Sequence, residues 1–287
     1  MSSELFRKGD AIEGVRFIDV RTGLDAPAAF EREHLAGARW MDLETELAHK
    51  GDPAQGGRHP LPSTSRFVAT LEAHGITADS DVVCYDDKGG ANAAARLWWM
   101  LRAIGHQRVR VLDGGFAAAV AAGLATERGR MTAIETTRYE LARGRERALE
   151  EGVAEFRVVG IEQVKRALEA RAETVIDVRD AFRFRGESEP IDPIAGRIAG
   201  AINVPFVGNL QEDGTFKSVT ELRAMYERVW SESGLTWPES NSVIVHCGSG
   251  VTACHTLLAL SECGVRGVAL YVGSYGEWCR REPVARG

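Results

Sequence analysis

The sequence has no C-x-x-C pair, and its five cysteines, Cys84, Cys247, Cys254, Cys263 and Cys279, are an odd and scattered set in 287 residues. Such sparse usage excludes a disulfide scaffold and a zinc site of paired thiolates, and it fits a reduced compartment. No apolar run approaches the roughly 18 residues that cross a bilayer, so no membrane span is expected. The N-terminal stretch MSSELFRKGDAIEGV lacks the apolar core of a secretory signal. Positive charge is also in short supply: 35 Lys and Arg face 41 Asp and Glu, a net charge of −6. That is the wrong sign for gripping a phosphate backbone. The expectation is a cytoplasmic protein with neither a nucleic-acid nor a membrane partner.

What is present is an ordinary globular composition, 44% hydrophobic, in a length that suggests two domains. The chain repeats itself once. Phe17-Ile18-Asp19-Val20-Arg21 recurs as Val175-Ile176-Asp177-Val178-Arg179, and His34-Leu35-Ala36-Gly37-Ala38 as Arg197-Ile198-Ala199-Gly200-Ala201. Val82-Val83-Cys84-Tyr85-Asp86 recurs as Val243-Ile244-Val245-His246-Cys247. The three offsets, 158, 163 and 161 positions, are nearly equal and keep one order. The period is too long for a solenoid and implies two homologous α/β domains.

Apolar runs ending in polar residues read as buried parallel strands at Asp81–Tyr85, Arg108–Leu112, Ser242–His246 and Gly267–Val272. Between them Asn92–Ile104 and Thr252–Glu262 read as helices, stopped by Gly105 and Gly264. Strand–helix–strand alternation predicts, in each domain, a parallel sheet with helices on both faces. The Arg- and Glu-rich segment 126–157 reads as a linker, which places the domains at 1–125 and 158–287.

The segment His246-Cys247-Gly248-Ser249-Gly250-Val251-Thr252-Ala253 follows an apolar strand and opens a helix. Ligands of open parallel sheets bind at the carboxyl ends of strands. A cysteine there sits over a helix N-terminus, where inward backbone N–H groups favour an anion and hence a thiolate nucleophile. Gly248 and Gly250 let the loop curl, while Ser249 and Thr252 can donate to whatever anion Cys247 carries. Of the other four cysteines, Cys254 and Cys263 read as helix core, Cys84 as lying inside a strand and Cys279, near the C-terminus, as only partly covered. A cysteine phosphatase needs H-C-x-x-G-x-x-R; the Arg position here is Ala253, which removes the phosphate clamp.

On these residues the chain resembles the tandem-domain rhodanese-like sulfurtransferases over nearly its whole length. Its Cys247-to-Thr252 loop is similar to that of the 3-mercaptopyruvate sulfurtransferases and lacks the two basic residues of the animal thiosulfate-using type. Trp98-Trp99 and Asp113-Gly114-Gly115 resemble the family's first domain, and Gly273-Ser274-Tyr275-Gly276-Glu277-Trp278 its second. The resemblance implies a catalytic second domain and an inactive first one, with Asp86 standing where Cys247 stands. It further implies a Cys247 persulfide filled by a small anionic donor, 3-mercaptopyruvate or thiosulfate. A thiol would empty it, thioredoxin-like or of low molecular weight, or cyanide in an assay; no metal or organic cofactor is called for. A persulfide carrier that loads once and docks on a partner enzyme is the alternative.

The resemblance also suggests binding residues. Gly248, Gly250, Val251 and Thr252 would line the donor site. Phe184-Arg185-Gly186 resembles the segment whose Arg binds the donor's carboxylate, although Arg185 could equally pair with Glu187 or Glu189 at the surface. The second Arg of mercaptopyruvate enzymes is replaced by Ile191. Arg197 is either a substitute anion contact or a plain surface charge. His34 matches a histidine that works with an Asp and the loop Ser249. Asp25 is the proposed acid, with Glu31 and Glu33 competing, and the alternative for His34 is a ring that only helps seat its own turn.

Overall fold

A computed structural model describes residues 3–237 and 242–287. By packing, the chain divides into one unit of residues 1–48, 62–150 and 211–216 and a second of 49–61, 151–210 and 217–287. Each contains one five-stranded parallel sheet flanked by helices.

The strands of the first unit are β1 (Leu5–Phe6), β2 (Val15–Asp19), β3 (His34–Leu35), β4 (Arg39–Trp40), β5 (Asp81–Tyr85), β6 (Val109–Leu112) and β7 (Thr126–Glu127). Its main sheet runs β1-β6-β5-β2-β4. The second unit has β8 (Val158–Val159), β9 (Thr174–Asp177), β10 (Ile202–Asn203), β11 (Val243–His246) and β12 (Ala269–Tyr271), in the order β10-β9-β11-β12-β8. Read from the opposite edge, the second order is the first with each strand replaced by its repeat. Equivalent apolar sets fill the two cores: Phe17, Val83, Tyr85 and Leu112 in one, Val175, Ile244, Ala269 and Tyr271 in the other.

The repeated Asp-Val-Arg has one structural meaning in both copies. Asp19 and Asp177 are fully buried at the ends of β2 and β9, and each is gripped by the Arg two residues on, Nη2 to Oδ2 at 2.6 Å. The same Nη2 donates onward to Glu33 O in the first unit and Gly196 O in the second, both at 2.8 Å. Arg21 lies over Phe116 and Arg179 over Tyr275. A charged fork held by this many hydrogen bonds is the condition under which an ion pair can be buried at all.

The segment 126–157 is more ordered than its composition suggested. β7 pairs antiparallel with β3, and Ala148–Glu151 forms a helical turn whose Ala148 and Leu149 are buried. Arg197 and Ala285 make the equivalent antiparallel bridge in the second unit. Residues 49–61 lie with the second unit although they come from the first half of the sequence. Loop-to-core contacts this distant leave no periodicity to read. No described helix is long and apolar enough to cross a membrane.

Candidate active site

Strand β11 ends at His246, so Cys247 sits at the carboxyl end of the central strand, 3% exposed. Its backbone is clamped: Ser274 Oγ receives its N–H, and its carbonyl accepts from Tyr275 N–H at 3.0 Å. The N–H of Ser249 points at Cys247 Sγ at 3.4 Å. Gly250 makes the curl possible. Its φ is +74°, and a Cβ there would lie 2.6 Å from Val272 O. Val251 is buried, and Thr252 occupies the N-cap of the helix Ala253–Glu262 without a side-chain capping bond.

The first unit shows what this loop geometry binds. Asp86 follows β5 as Cys247 follows β11, and its carbonyl accepts from Phe116 N–H at 2.8 Å, the counterpart of the Tyr275 bond. The Asp86 carboxylate is fully buried and collects the N–H groups of Lys88, Gly90, Asn92 and Ala94 at 2.8, 2.9, 2.9 and 3.2 Å. Burial pushes this carboxyl above its usual range while the four donors pull it back. In the first unit the loop thus forms an anion cradle filled by a side chain; at the equivalent place in the second unit the Ser249 N–H, counterpart of the Lys88 N–H, lies on the Cys247 sulfur.

The remaining cysteines are placed differently. Burial raises the thiols of Cys84 and Cys279, and that of Cys263 goes up to about 11. Cys279 is 2% exposed, not partly covered as its position near the C-terminus suggested, because it lies on the core face of the helix Ser274–Arg281. His246, which precedes Cys247, is sealed in the core with its proton affinity lowered by burial, and its Nδ1 donates to the Cys247 carbonyl at 3.1 Å.

Two side chains that sequence reasoning did not single out stand at the loop. His59 Nδ1 is hydrogen-bonded to Ser249 Oγ at 2.8 Å. Arg58 donates from Nε to Asp192 Oδ1 at 3.1 Å, and a Cβ on Gly248 would come within 2.8 Å of its Nη2 and 3.4 Å of Arg183 Nη2. Both belong to the strap 49–61, which is pinned by Gly56 N–H on Glu277 Oε1 at 3.0 Å. Gly57 passes so close that a Cβ there would collide with Gly273 O. The available signal was Gly56-Gly57 followed by Arg58-His59-Pro60: a glycine turn carrying two chemistry-bearing side chains in a row.

The expected partners fall elsewhere. Arg185 is half exposed and pairs with Glu187, whereas Arg183, two residues back in the turn Ala181–Phe184, holds Glu189 with Nε and Nη2 and faces Gly248. Residues two apart in a helix point about 200° apart, which separates the two guanidiniums. Arg197 stacks over Phe184, with its backbone bridged to Ala285. His34 is buried in the first unit, Nδ1 bonded to Phe30 O at 2.7 Å and Nε2 to Glu127 at 3.2 Å, its ring stacked on Phe30. Its acidic partner is thus Glu127. Asp25 is an exposed residue at the start of the helix Ala26–Arg32, and its side chain makes no capping bond.

The family described as Rhodanese-like domain matches the chain twice, over residues 3–122 and 161–281. A probable 3-mercaptopyruvate sulfurtransferase of Pseudomonas aeruginosa is 37% identical over 282 residues, 94% of this chain and 92% of that one. A putative thiosulfate sulfurtransferase, SseB, of Mycobacterium tuberculosis is 37% identical over all of this chain and 96% of its own. Among solved structures, 3-mercaptopyruvate sulfurtransferase from Leishmania major superposes with a TM-score of 0.80 at 29% identity, over 96% of this chain and 74% of that one.

Proposed function

From the premise that the chain belongs to the rhodanese family, as a sulfurtransferase with two rhodanese-like domains, we propose that it takes sulfur from 3-mercaptopyruvate onto Cys247 and passes it to a thiol. The observation that carries this reading is the Cys247 thiol itself. It lies at the end of β11 with a backbone N–H on its sulfur and the Arg183 guanidinium close to Gly248. In this mechanism the Cys247 thiolate attacks the donor sulfur. An S–S bond forms, the C–S bond breaks, and its electron pair leaves as the enolate of pyruvate, which takes a proton to become pyruvate. The amides of Ser249, Val251 and Ala253, counterparts of three that hold Asp86, would stabilise the charged persulfide. Ser249 Oγ, bonded to His59, is placed to carry the proton the donor thiol gives up. An acceptor thiolate then attacks the outer sulfur, forms its own S–S bond and releases Cys247 thiolate.

A donor that bears its charge on a carboxylate several bonds from sulfur suits a loop whose own side chains are neutral and whose cations stand to one side. Thiosulfate, with its charge adjacent to the transferred sulfur, would gain less. The test compares kcat/KM for the two donors and follows intact mass. One added sulfur is expected after donor treatment, absent in Cys247→Ser, with 3-mercaptopyruvate the better donor. A sulfur adduct surviving in Cys247→Ser would refute the reading, and a preference for thiosulfate would refute the donor assignment. Single loading without turnover would instead point to a sulfur carrier.

A further inference from the structure

In the motif Gly273-Ser274-Tyr275-Gly276-Glu277, the three central residues each hold the Cys247 loop directly. Ser274 Oγ and the Tyr275 N–H clamp the Cys247 backbone, and the Gly276 N–H donates to Gly248 O at 2.9 Å. Glu277 does something else. It is 5% exposed, and its carboxylate accepts three bonds: Oε2 from Tyr271 Oη at 2.9 Å, and Oε1 from Arg281 Nη1 at 3.2 Å and the Gly56 N–H at 3.0 Å. The last bond spans 221 positions and lands on the strap 49–61. Two glycines permit the approach. A Cβ on Gly273 would overlap the Glu277 carboxylate, and one on Gly57 would collide with Gly273 O.

The first unit shows that the fold does not need this carboxylate. The Phe116 N–H meets Asp86 O as the Tyr275 N–H meets Cys247 O, which sets Ala118 at the place of Glu277 and Leu112 at the place of Tyr271. Gly114 agrees: a Cβ there would press on Ala118, as one on Gly273 would on Glu277. The acceptor and its tyrosine donor are thus absent together from the unit whose loop carries Asp86 in place of Cys247. Burying a carboxylate is unfavourable unless hydrogen bonds compensate for the lost water. An apolar pair fills the same position in the first unit, so what the carboxylate adds in the second is a hold on the strap.

We propose that Glu277 is a positioning residue: by binding the Gly56 N–H it fixes the strap where His59 Nδ1 meets Ser249 Oγ. This inference rests on the reading of His59 and Ser249 as the proton relay that serves Cys247. The strap forms neither helix nor strand, so its placement depends on single ties, and Glu277 supplies a charge-assisted one. Gly56 and His59 are three residues apart, at most about 11 Å of extended chain, so the tie acts close to the ring it sets.

The experiment measures kcat and its pH profile in full-length Glu277→Ala and Glu277→Gln, the first also combined with His59→Gln. Glu277→Ala should lower kcat roughly 10- to 100-fold, the scale on which a displacement of about 1 Å acts, and should alter the pH profile as His59→Gln does. In the His59→Gln background the same substitution should change kcat by no more than about twofold, because the ring it positions is gone. Glu277→Gln keeps an acceptor for the Gly56 N–H and can donate to Tyr271 Oη, so it should recover most of kcat. Trypsin should cut folded Glu277→Ala after Lys50 or Arg58 faster than wild type. Glu277→Ala also strips the buried Tyr271 hydroxyl of its acceptor. The double variant Tyr271→Leu with Glu277→Ala reproduces the pair in the first unit, removes that fault and should show the same loss of kcat in folded protein. Unchanged kcat and pH profile in either of these variants would overturn the proposal, as would an equal loss with and without His59. If His59→Gln itself left kcat and its pH profile unchanged, the relay and this inference would fall together. If His59→Gln were impaired while the Glu277 variants matched wild type, only the role of Glu277 would fall.

Discussion

Replacing Asp86 by Ala should unsettle the first unit without touching the chemistry. The carboxylate accepts four backbone N–H bonds of 2.8 to 3.2 Å in a fully buried loop. Each donor left without a partner costs about 1–3 kcal/mol. Entry of water or a buffer anion would recover part of that, and removing one partner from a buried charged network typically costs about 3–5 kcal/mol. At roughly 2–4 °C per kcal/mol for a chain of this size, the first unfolding transition should drop by about 10 °C. The assay is differential scanning calorimetry beside donor kinetics at about 20 °C, well below that transition. The lost carboxylate also leaves an anion cradle, so sulfate should stabilise the variant more than the wild type. At about ten times its Kd an anion returns about 1.4 kcal/mol. Asp86→Asn, which keeps one acceptor oxygen, should fall between. The catalytic rate at the assay temperature should stay within a few-fold of wild type. An unchanged transition in Asp86→Ala would refute the idea that this side chain fills the cradle. A large loss of rate in protein that is still folded would refute a purely structural role.

Arg185→Ala should leave kcat/KM within about twofold, because an exposed pair such as Arg185–Glu187 contributes little; Arg183→Ala should raise KM for 3-mercaptopyruvate about tenfold or more. The reverse pattern in steady-state kinetics would return the donor carboxylate to Arg185. His59→Gln should lower kcat by about 100-fold or more if His59 relays a proton through Ser249, and should also alter the pH profile of kcat; an unchanged profile would leave His59 with only a packing role. Stability should fall on the acid side. Burial lowers the proton affinity of His106, held by Tyr139 Oη and Ser80 O, and of His246. Both stay neutral when folded, so the unfolded chain binds more protons as pH drops below about 6.5. Their contribution is present above that pH and is lost as pH falls. His106→Asn should therefore flatten the decline of Tm between about pH 7 and 5, and an unaltered slope would refute this account.

The two sheets were legible because long buried strands write themselves as apolar runs. Asp81–Tyr85 is the observed β5, and the readings at 108–112, 242–246 and 267–272 each enclose an observed strand. The edge strands are two residues long, below any periodic signal, and the β3–β7 pair sets His34 and Leu35 against Thr126 and Glu127, a polar mixture with no alternation. The repeat that aligns His34 with Arg197 is structural in kind. It marks equivalent positions where a short antiparallel bridge closes each unit, to Glu127 in one and Ala285 in the other. A repeat reports what the fold needs twice, and a residue that differs between copies is where chemistry can differ.

Asp86 and Cys247 show that rule in the positive sense. They share a place and a carbonyl contact, and where four backbone N–H groups hold the Asp86 carboxylate, the Ser249 N–H lies on the Cys247 sulfur. The thiol was legible because everything that defines it is local: a strand end, two glycines and a helix start within eight residues. The places of Arg58, His59 and Arg183 beside that loop were not, because the contacts that bring them there are distant in sequence. Arg58 meets Asp192 across 134 positions and His59 meets Ser249 across 190. The choice between Arg183 and Arg185 turns on which side of a single helical turn faces the loop. Local sequence carries the backbone geometry of an anion site, but the charges that select the anion come from wherever the fold brings them.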